Sequence, residues 1–469
     1  MWVQWWPGRT GRAPGVLGTG VLMLVLAGCA TVPPEQRQAV ESSVKAGLPT
    51  AWASGDIGGD VIRGGLLALS RDAGLQTWTR HVLARNAGIR QSVLDVRIAE
   101  MAAERAGLAH LPTVTATAGA GRNRTLGAGG QGQYANSVSL SGTVSWEADI
   151  WGKLADRQQA ATASIRAARH DLAAARLSIA AEAMRNWVDL ITLDHLIRLD
   201  EARIASLGQT ENIVRERFQR GLGALSDLET ARAETENARA VLLDRQLQRA
   251  DLNRRMEILG GDLPRAVLAV PPGLPDIALP GQALPATVLG RRPDVVAAFA
   301  RSVAASAEAT ASYKDVLPTF SIDLTVSSSG SNLANLFTGG PVWSLLGNLT
   351  APLLDGGSRR TRAAEADMIA ARSWLDYRRT LLQALSEVES RRDAELNFRQ
   401  RIAVLNRQLT HALASRDQFR RRYADGLTDI ITLLTAQRTA FDARQSLISA
   451  RADRLKNRIN LALSLGVGI

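Results

Sequence analysis

Twice in this chain a two-faced strand runs straight into a very long helix. Residues 137–152 read SVSLSGTVSWEADIWG. Val138, Leu140, Gly142, Val144 and Trp146 share one parity, and Ser139, Ser141, Thr143 and Ser145 the other. That period of two belongs to a strand with two unlike surroundings. After Gly152 the alternation gives way to alanine-, leucine- and arginine-rich helical text. Residues 342–357, VWSLLGNLTAPLLDGG, repeat the junction, with Gly357 falling on Gly152 and Ser358 opening the second helix.

The correspondence extends over most of each half at an offset of 205 or 206 residues. Arg217-Phe218 and Gly221-Leu222 fall on Arg422-Tyr423 and Gly426-Leu427, and Leu111-Pro112-Thr113 falls on Leu317-Pro318-Thr319. A shared register on this scale predicts an internal duplication. The expected repeats are residues 66–270 and 287–469, joined by a proline-rich linker, 271–286. Each comprises a helix, a β-hairpin (113–147 or 318–353), a long helix and a return helix.

Long helices are the second constraint. No proline lies between Thr113 and Leu263 or after Pro352. Lys153 to Gln219 and Ser358 to Ala424 each read as one helix, about 100 Å long at 1.5 Å per residue. Seven-residue spacings such as Leu177, Met184 and Ile191 predict coiled-coil packing. Each long helix stops at a glycine turn, and a shorter helix returns over about 225–260 or 428–464. Aromatic residues make up only 4% of the chain, so the expected core joins slender helices through Ala and Leu. Leu66 to His110 reads as a further helix, and residues 119–133 as a glycine-rich turn region.

The four strands explain themselves poorly in water, where two separate hairpins are marginal. A closed barrel built from several chains removes their edges, with the apolar parity toward lipid and the hydroxylated parity toward a water-filled lumen. The fold class expected is therefore an internally duplicated α+β membrane protein. Its four strands per chain enter a barrel that further chains complete.

The N-terminus places such a chain. Arg9 and Arg12 precede an apolar run, Gly15 to Leu26, too short to span a bilayer. The run ends in Leu26-Ala27-Gly28-Cys29, which looks like a bacterial lipobox. Residues 1–28 are then a lipoprotein signal peptide, Cys29 takes the lipid, and 29–65 form an extended anchored segment. Several acyl chains, at about 0.8 kcal/mol per buried CH₂, anchor firmly.

Cys29 is the chain's one cysteine, which excludes an internal disulfide and a Cys-based metal site. The five histidines show no ligand spacing. The net charge of +11 is dispersed among 45 acidic residues along helix faces, and no coherent basic, aromatic-bearing surface points to nucleic acid. Nucleophile elbows, phosphate loops and paired His–carboxylate text are absent, so the reading is not an enzyme.

Taken together the residues resemble the TolC-like outer-membrane efflux proteins, in particular their lipid-anchored NodT-type branch. The matching text is Leu26-Ala27-Gly28-Cys29, Leu48-Pro49-Thr50-Ala51-Trp52, residues 146–152 (WEADIWG), Arg291-Arg292-Pro293-Asp294-Val295, residues 352–357 (PLLDGG) and Ala436-Gln437-Arg438. The resemblance covers nearly the whole mature chain. It implies a homotrimer in the outer membrane, its barrel completed by trimerisation and its helices forming a long periplasmic tunnel, whose tips meet a periplasmic adaptor, itself joined to an inner-membrane transporter of the RND type. Such a duct is passive and needs no cofactor besides the lipid on Cys29. The alternative is a lipid-anchored periplasmic coiled-coil scaffold without a pore.

The resemblance also points to tip residues. Arg217, Gly221, Arg422 and Gly426 resemble the motif that meets the adaptor, and Asp227, Asp425 and Asp429 lie close by. Family members often carry an acidic gate residue just before Ala-Gln-Arg, where this chain has Thr435. The first half also has Asn86-Ala87-Gly88 in place of the common Asn-Pro-Asp.

Overall fold

A computed structural model describes residues 38–39, 41–42, 51–53, 57–58, 65–126, 129–264, 271, 273–281 and 285–468. The signal peptide, Cys29 and most of the segment 29–65 lie outside the described residues. The described elements are helices α1 (Ala73–Arg85) and α2 (Ala87–Leu108), strands β1 (Thr113–Leu126) and β2 (Gly132–Ala148), and helices α3 (Lys153–Gln219) and α4 (Leu225–Gly260). There follow α5 (Pro285–Arg291), α6 (Pro293–Lys314), β3 (Thr319–Gly330), β4 (Val342–Thr350), α7 (Ser358–Ala424) and α8 (Ile430–Ser464). They form two compact units. One contains residues 100–164 and 301–375, the other 46–99, 165–300 and 376–469.

The first unit holds one antiparallel sheet of order β1-β2-β3-β4. The hairpins of the two repeats meet through β2 and β3, from Val138 opposite Gly330 to Ala148 opposite Phe320. Register preserves parity across all four strands. Val114, Val144, Leu324 and Leu345 lie in one row, and Thr115, Thr143, Thr325 and Ser344 in the next. One face is therefore apolar and the other hydroxylated, and Thr143 and Thr325 bond across the latter at 3.3 Å. Much of that apolar face is exposed, Val114 by 75% and Trp343 by 70%, while the β3–β4 connection, with Leu336 buried, lies over part of it. Among the described residues β1 and β4 each have one partner, leaving both edges open.

Two strand expectations are corrected. β1 continues to Leu126, so the connection is residues 127–131 rather than the turn region 119–133. Arg122 and Arg124 thus stand within the strand, opposite Asn136 and Tyr134. β4 begins at Val342, immediately after Pro341, and ends at Thr350, short of Leu353.

Each junction is built alike. Asp149 accepts the Leu154 and Ala155 N–H groups at 3.1 and 2.9 Å, satisfying donors that the start of α3 leaves open. Asp355 does the same for Gly357 and Arg359 before α7. Between them Gly152 and Gly357 take φ of 70° and 85°, which a side chain disfavours. The Trp146 and Trp151 indoles donate to the His110 and Pro318 carbonyls at 2.8 and 2.7 Å.

The second unit is helical. Its largest core joins Trp78 and Val82 of α1, Ala180 to Ile191 of α3, Leu252 and Met256 of α4, and Ile459 and Ala462 of α8. Leu177, Met184 and Ile191 are all buried, as their heptad spacing predicts, and the alanines let backbones approach. The long helices have the predicted bounds, 67 residues each. The segment expected as one helix from Leu66 to His110 is broken. Leu66–Leu69 is a 3-10 turn, and α1 and α2 are separated at Asn86, with ψ at 129°. Asn86 Oδ1 accepts the Ile89 N–H at 3.2 Å while Nδ2 donates to the Leu259 carbonyl at 2.8 Å. One side chain thereby starts α2 and ties the break to α4. Among the described residues no helix is long and apolar enough to cross a membrane.

Candidate functional site

Both long helices of the second unit end in the same turn. Gly221 at φ 74° donates to the Phe218 carbonyl at 2.9 Å, and Leu222 donates to Arg217 at 2.8 Å. Gly426 at φ 75° and Leu427 bond to Tyr423 and Arg422 at 3.1 and 2.8 Å. This is the left-handed stop in which two late carbonyls of a helix are satisfied by the residues that leave it.

The four helices meeting at these turns share a core of Leu207 and Val214 from α3, Leu228 and Ala231 from α4, Tyr423 from α7, and Ile430, Leu433 and Leu434 from α8. Arg217 is brought to the second tip. Its guanidinium donates to the Tyr423 carbonyl at 3.1 Å and lies 5.3 Å from that ring's centroid. A Cβ at Gly426 would stand in ordinary contact with the same guanidinium, at 3.7 Å. Arg422 instead folds back on its own tip, 3.4 Å from the Leu427 carbonyl and 6.0 Å from the Phe419 ring.

Asp429 caps α8, accepting both the N–H and the hydroxyl of Thr432 at 2.8 Å. The backbone N–H bond, then the hydroxyl bond, holds its carboxyl below the ordinary aspartate value. Asp227 is half-buried in the first turn of α4, where its charge suits the helix start. Burial pushes the Tyr423 phenol up, with the Asp227 charge adding to it and Arg217 opposing it. Asp425 is exposed beyond the end of α7, and its carboxylate is not drawn into the Arg217–Tyr423 contact. Thr435 is exposed on α8 beside a groove of about 320 Å³ lined by Phe419, Ile431 and Ala436.

Two contributors had no separate signal in the sequence. Tyr423 aligned with Phe218 as a repeat position, which could not reveal that one ring is buried and the other exposed. Gln437, of the Ala-Gln-Arg text, is buried and donates to the Thr210 hydroxyl at 2.8 Å, joining α8 to α3. Among the described residues no cluster of His, Cys, Asp or Glu could hold a metal ion.

Comparison with known proteins accords with the fold. The chain is 27% identical over 471 residues to the antibiotic efflux pump outer membrane protein ArpC of Pseudomonas putida, covering 97% of this chain and 95% of that one. It is 23% identical over 329 residues to the cation efflux system protein CusC of Escherichia coli K12, covering 69% and 72%. The solved outer-membrane channel OprN shares the fold at a TM-score of 0.82 and 22% identity, over 90% of this chain and 97% of that one. The model of the family described as outer membrane efflux protein matches twice, at residues 78–261 and 284–467, once on each half of the duplication. A chain whose two halves both match, and whose hairpins meet in one two-faced sheet, belongs to the outer membrane efflux protein family.

Proposed function

We propose that this chain is the exit duct of a tripartite efflux system, a homotrimer carrying small molecules such as drugs or toxic compounds out of a Gram-negative cell. The observation that carries the reading is the register of the sheet. Four strands from two distant hairpins align into one exposed apolar face and one hydroxylated face, with β1 and β4 open at the edges. Three such sheets joined edge to edge close a twelve-stranded barrel in the outer membrane, and closure satisfies the backbone groups that lipid would leave unpaired. The lumen face is mainly Ser and Thr, which suits passage without strong charge selection at that level.

The helices reach into the periplasm, and the tips at Arg217, Gly221, Arg422 and Gly426 meet an adaptor joined to an RND-type inner-membrane transporter. The transporter supplies the energy, so the duct itself needs neither catalysis nor a cofactor, and the lipid on Cys29 anchors it. In the resting tip, Arg217 on Tyr423 and Gln437 on Thr210 tie the two repeats together. Opening releases those ties. Thr435, with Asp227, Asp425 and Asp429 nearby, leaves the constriction less acidic than a ring of carboxylates at residue 435 would make it.

Bilayer recordings of the purified protein test the reading. Detergent-resistant trimers that conduct ions support it. A trimer that never conducts, even with Arg217→Ala and Gln437→Ala combined, leaves the anchored scaffold as the function.

A further inference from the structure

The parity that makes one sheet face apolar continues upward into charge. Val114, Ala116, Ala118 and Ala120 of β1 are followed on the same face by Arg122 and Arg124, and on β2 Val138 is preceded by Asn136 and Tyr134. Both guanidinium groups gather on the Tyr134 ring, 4.9 and 5.8 Å from its centroid. Arg124 lies across Gly132, where a Cβ would meet its Nε at 2.2 Å. The pair is therefore held on the lipid side of the sheet, at the hairpin end, just above the apolar band.

About 13 Å lower on β2, four residues along the strand, the same face carries a cleft of about 370 Å³. Leu140, Gly142 and Val326 form its floor, and Phe337 and Pro341 of the β3–β4 connection form its rim. That connection is pinned over the sheet. Leu336 is buried, its carbonyl accepts the Ser328 hydroxyl, and the Asn335 backbone would lie 2.8 Å from a Cβ on Gly330. Phe337 itself remains 74% exposed at the lipid side.

We propose that this is a binding site for an anionic lipid of the outer leaflet, a phosphorylated glycolipid. Its phosphate rests on Arg122 and Arg124, and one acyl chain lies in the cleft below. A guanidinium pair offers forked donors matched to phosphate, and an apolar cleft open to the bilayer has acyl chains as its natural filling. The assignment rests on the channel reading, because only a barrel turns this face to lipid.

The test uses the purified full-length trimer in detergent, titrated with diphosphoryl lipid A, dephosphorylated lipid A and phosphatidylethanolamine, with native mass spectrometry as the readout. Wild type should hold diphosphoryl lipid A about tenfold more tightly than the other two. Arg122→Gln with Arg124→Gln should abolish that preference. Gly142→Leu, at a position where a Cβ meets nothing within 4 Å, should fill the cleft and weaken all three lipids. Equal binding of the three by wild type, or a preference that survives in the double variant, overturns the site. Wild type that fails to reach the outer membrane as a trimer overturns the channel reading and the site with it.

Discussion

The tip at Gly221 and the tip at Gly426 have the same turn and opposite surroundings. Each has Arg, an aromatic residue, Gly and Leu at matching positions, and the hydrogen bonds of the two turns agree within 0.2 Å. Yet Tyr423 is 5% exposed and Phe218 38%, Arg217 crosses to the other tip while Arg422 stays on its own, and α8 is capped by Asp429 where α4 has Ala224. Backbone chemistry keeps a turn constant through duplication. Side chains diverge because one tip is packed between neighbours and the other borders solvent.

Breaking the buried member should have the largest effect. Tyr423→Ala removes an aromatic ring from the four-helix core and should destabilise the tip by about 3 kcal/mol, against under about 1 kcal/mol for Phe218→Ala. Hydrogen exchange over residues 419–434 reads the difference, and equal acceleration by the two variants would erase the contrast between the tips. Next comes the arginine that crosses. Arg217→Ala leaves the half-buried Tyr423 carbonyl without that donor, at about 1–2 kcal/mol, and should raise open probability in bilayers roughly tenfold. Arg422→Ala should do little to either.

The glycines test what the tips share. Gly221→Ala and Gly426→Ala each force a side chain into the left-handed region and should cost about 1 kcal/mol alike. A clear inequality would mean that the guanidinium beside Gly426 governs that turn. The cap gives the smallest effect, and it depends on pH. The Asp429 carboxyl lies below its ordinary value in the folded tip, so its contribution is present above the unfolded value near 3.9 and is lost as pH falls through the folded one. Exchange at the start of α8 should therefore quicken below about pH 4 in wild type and show no such step in Asp429→Ala. Ala224→Asp should bring a matching step to α4.

How much was legible depends on the range of the signal. Proline-free helical text and two parity patterns are local, so helix bounds at Lys153, Gln219, Ser358 and Ala424 could be read directly. The break at Asn86 could not, because it depends on a hydrogen bond to Leu259, far along the chain. The extension of β1 through Arg122 and Arg124 was hidden for a related reason. Glycine and arginine read locally as a turn, and only pairing with β2 holds them extended. The tip residues were found as a repeated motif, but the motif is symmetric and their roles are not.

The sequence by itself determined the duplication, the lengths of the helices, the two-faced strands and the glycine turns. The duplication follows from text repeated at an offset of 205 or 206 residues, and the others from periodicity or backbone preference within a few residues. Tertiary structure decided that β2 and β3 join the hairpins into one sheet, that Arg217 and not Arg422 bridges the tips, and that a cationic pair stands above an apolar cleft on one face. These are relations between residues tens to hundreds of positions apart. Their free energy depends on burial and on partners supplied by packing, which neither copy of a repeated motif encodes alone.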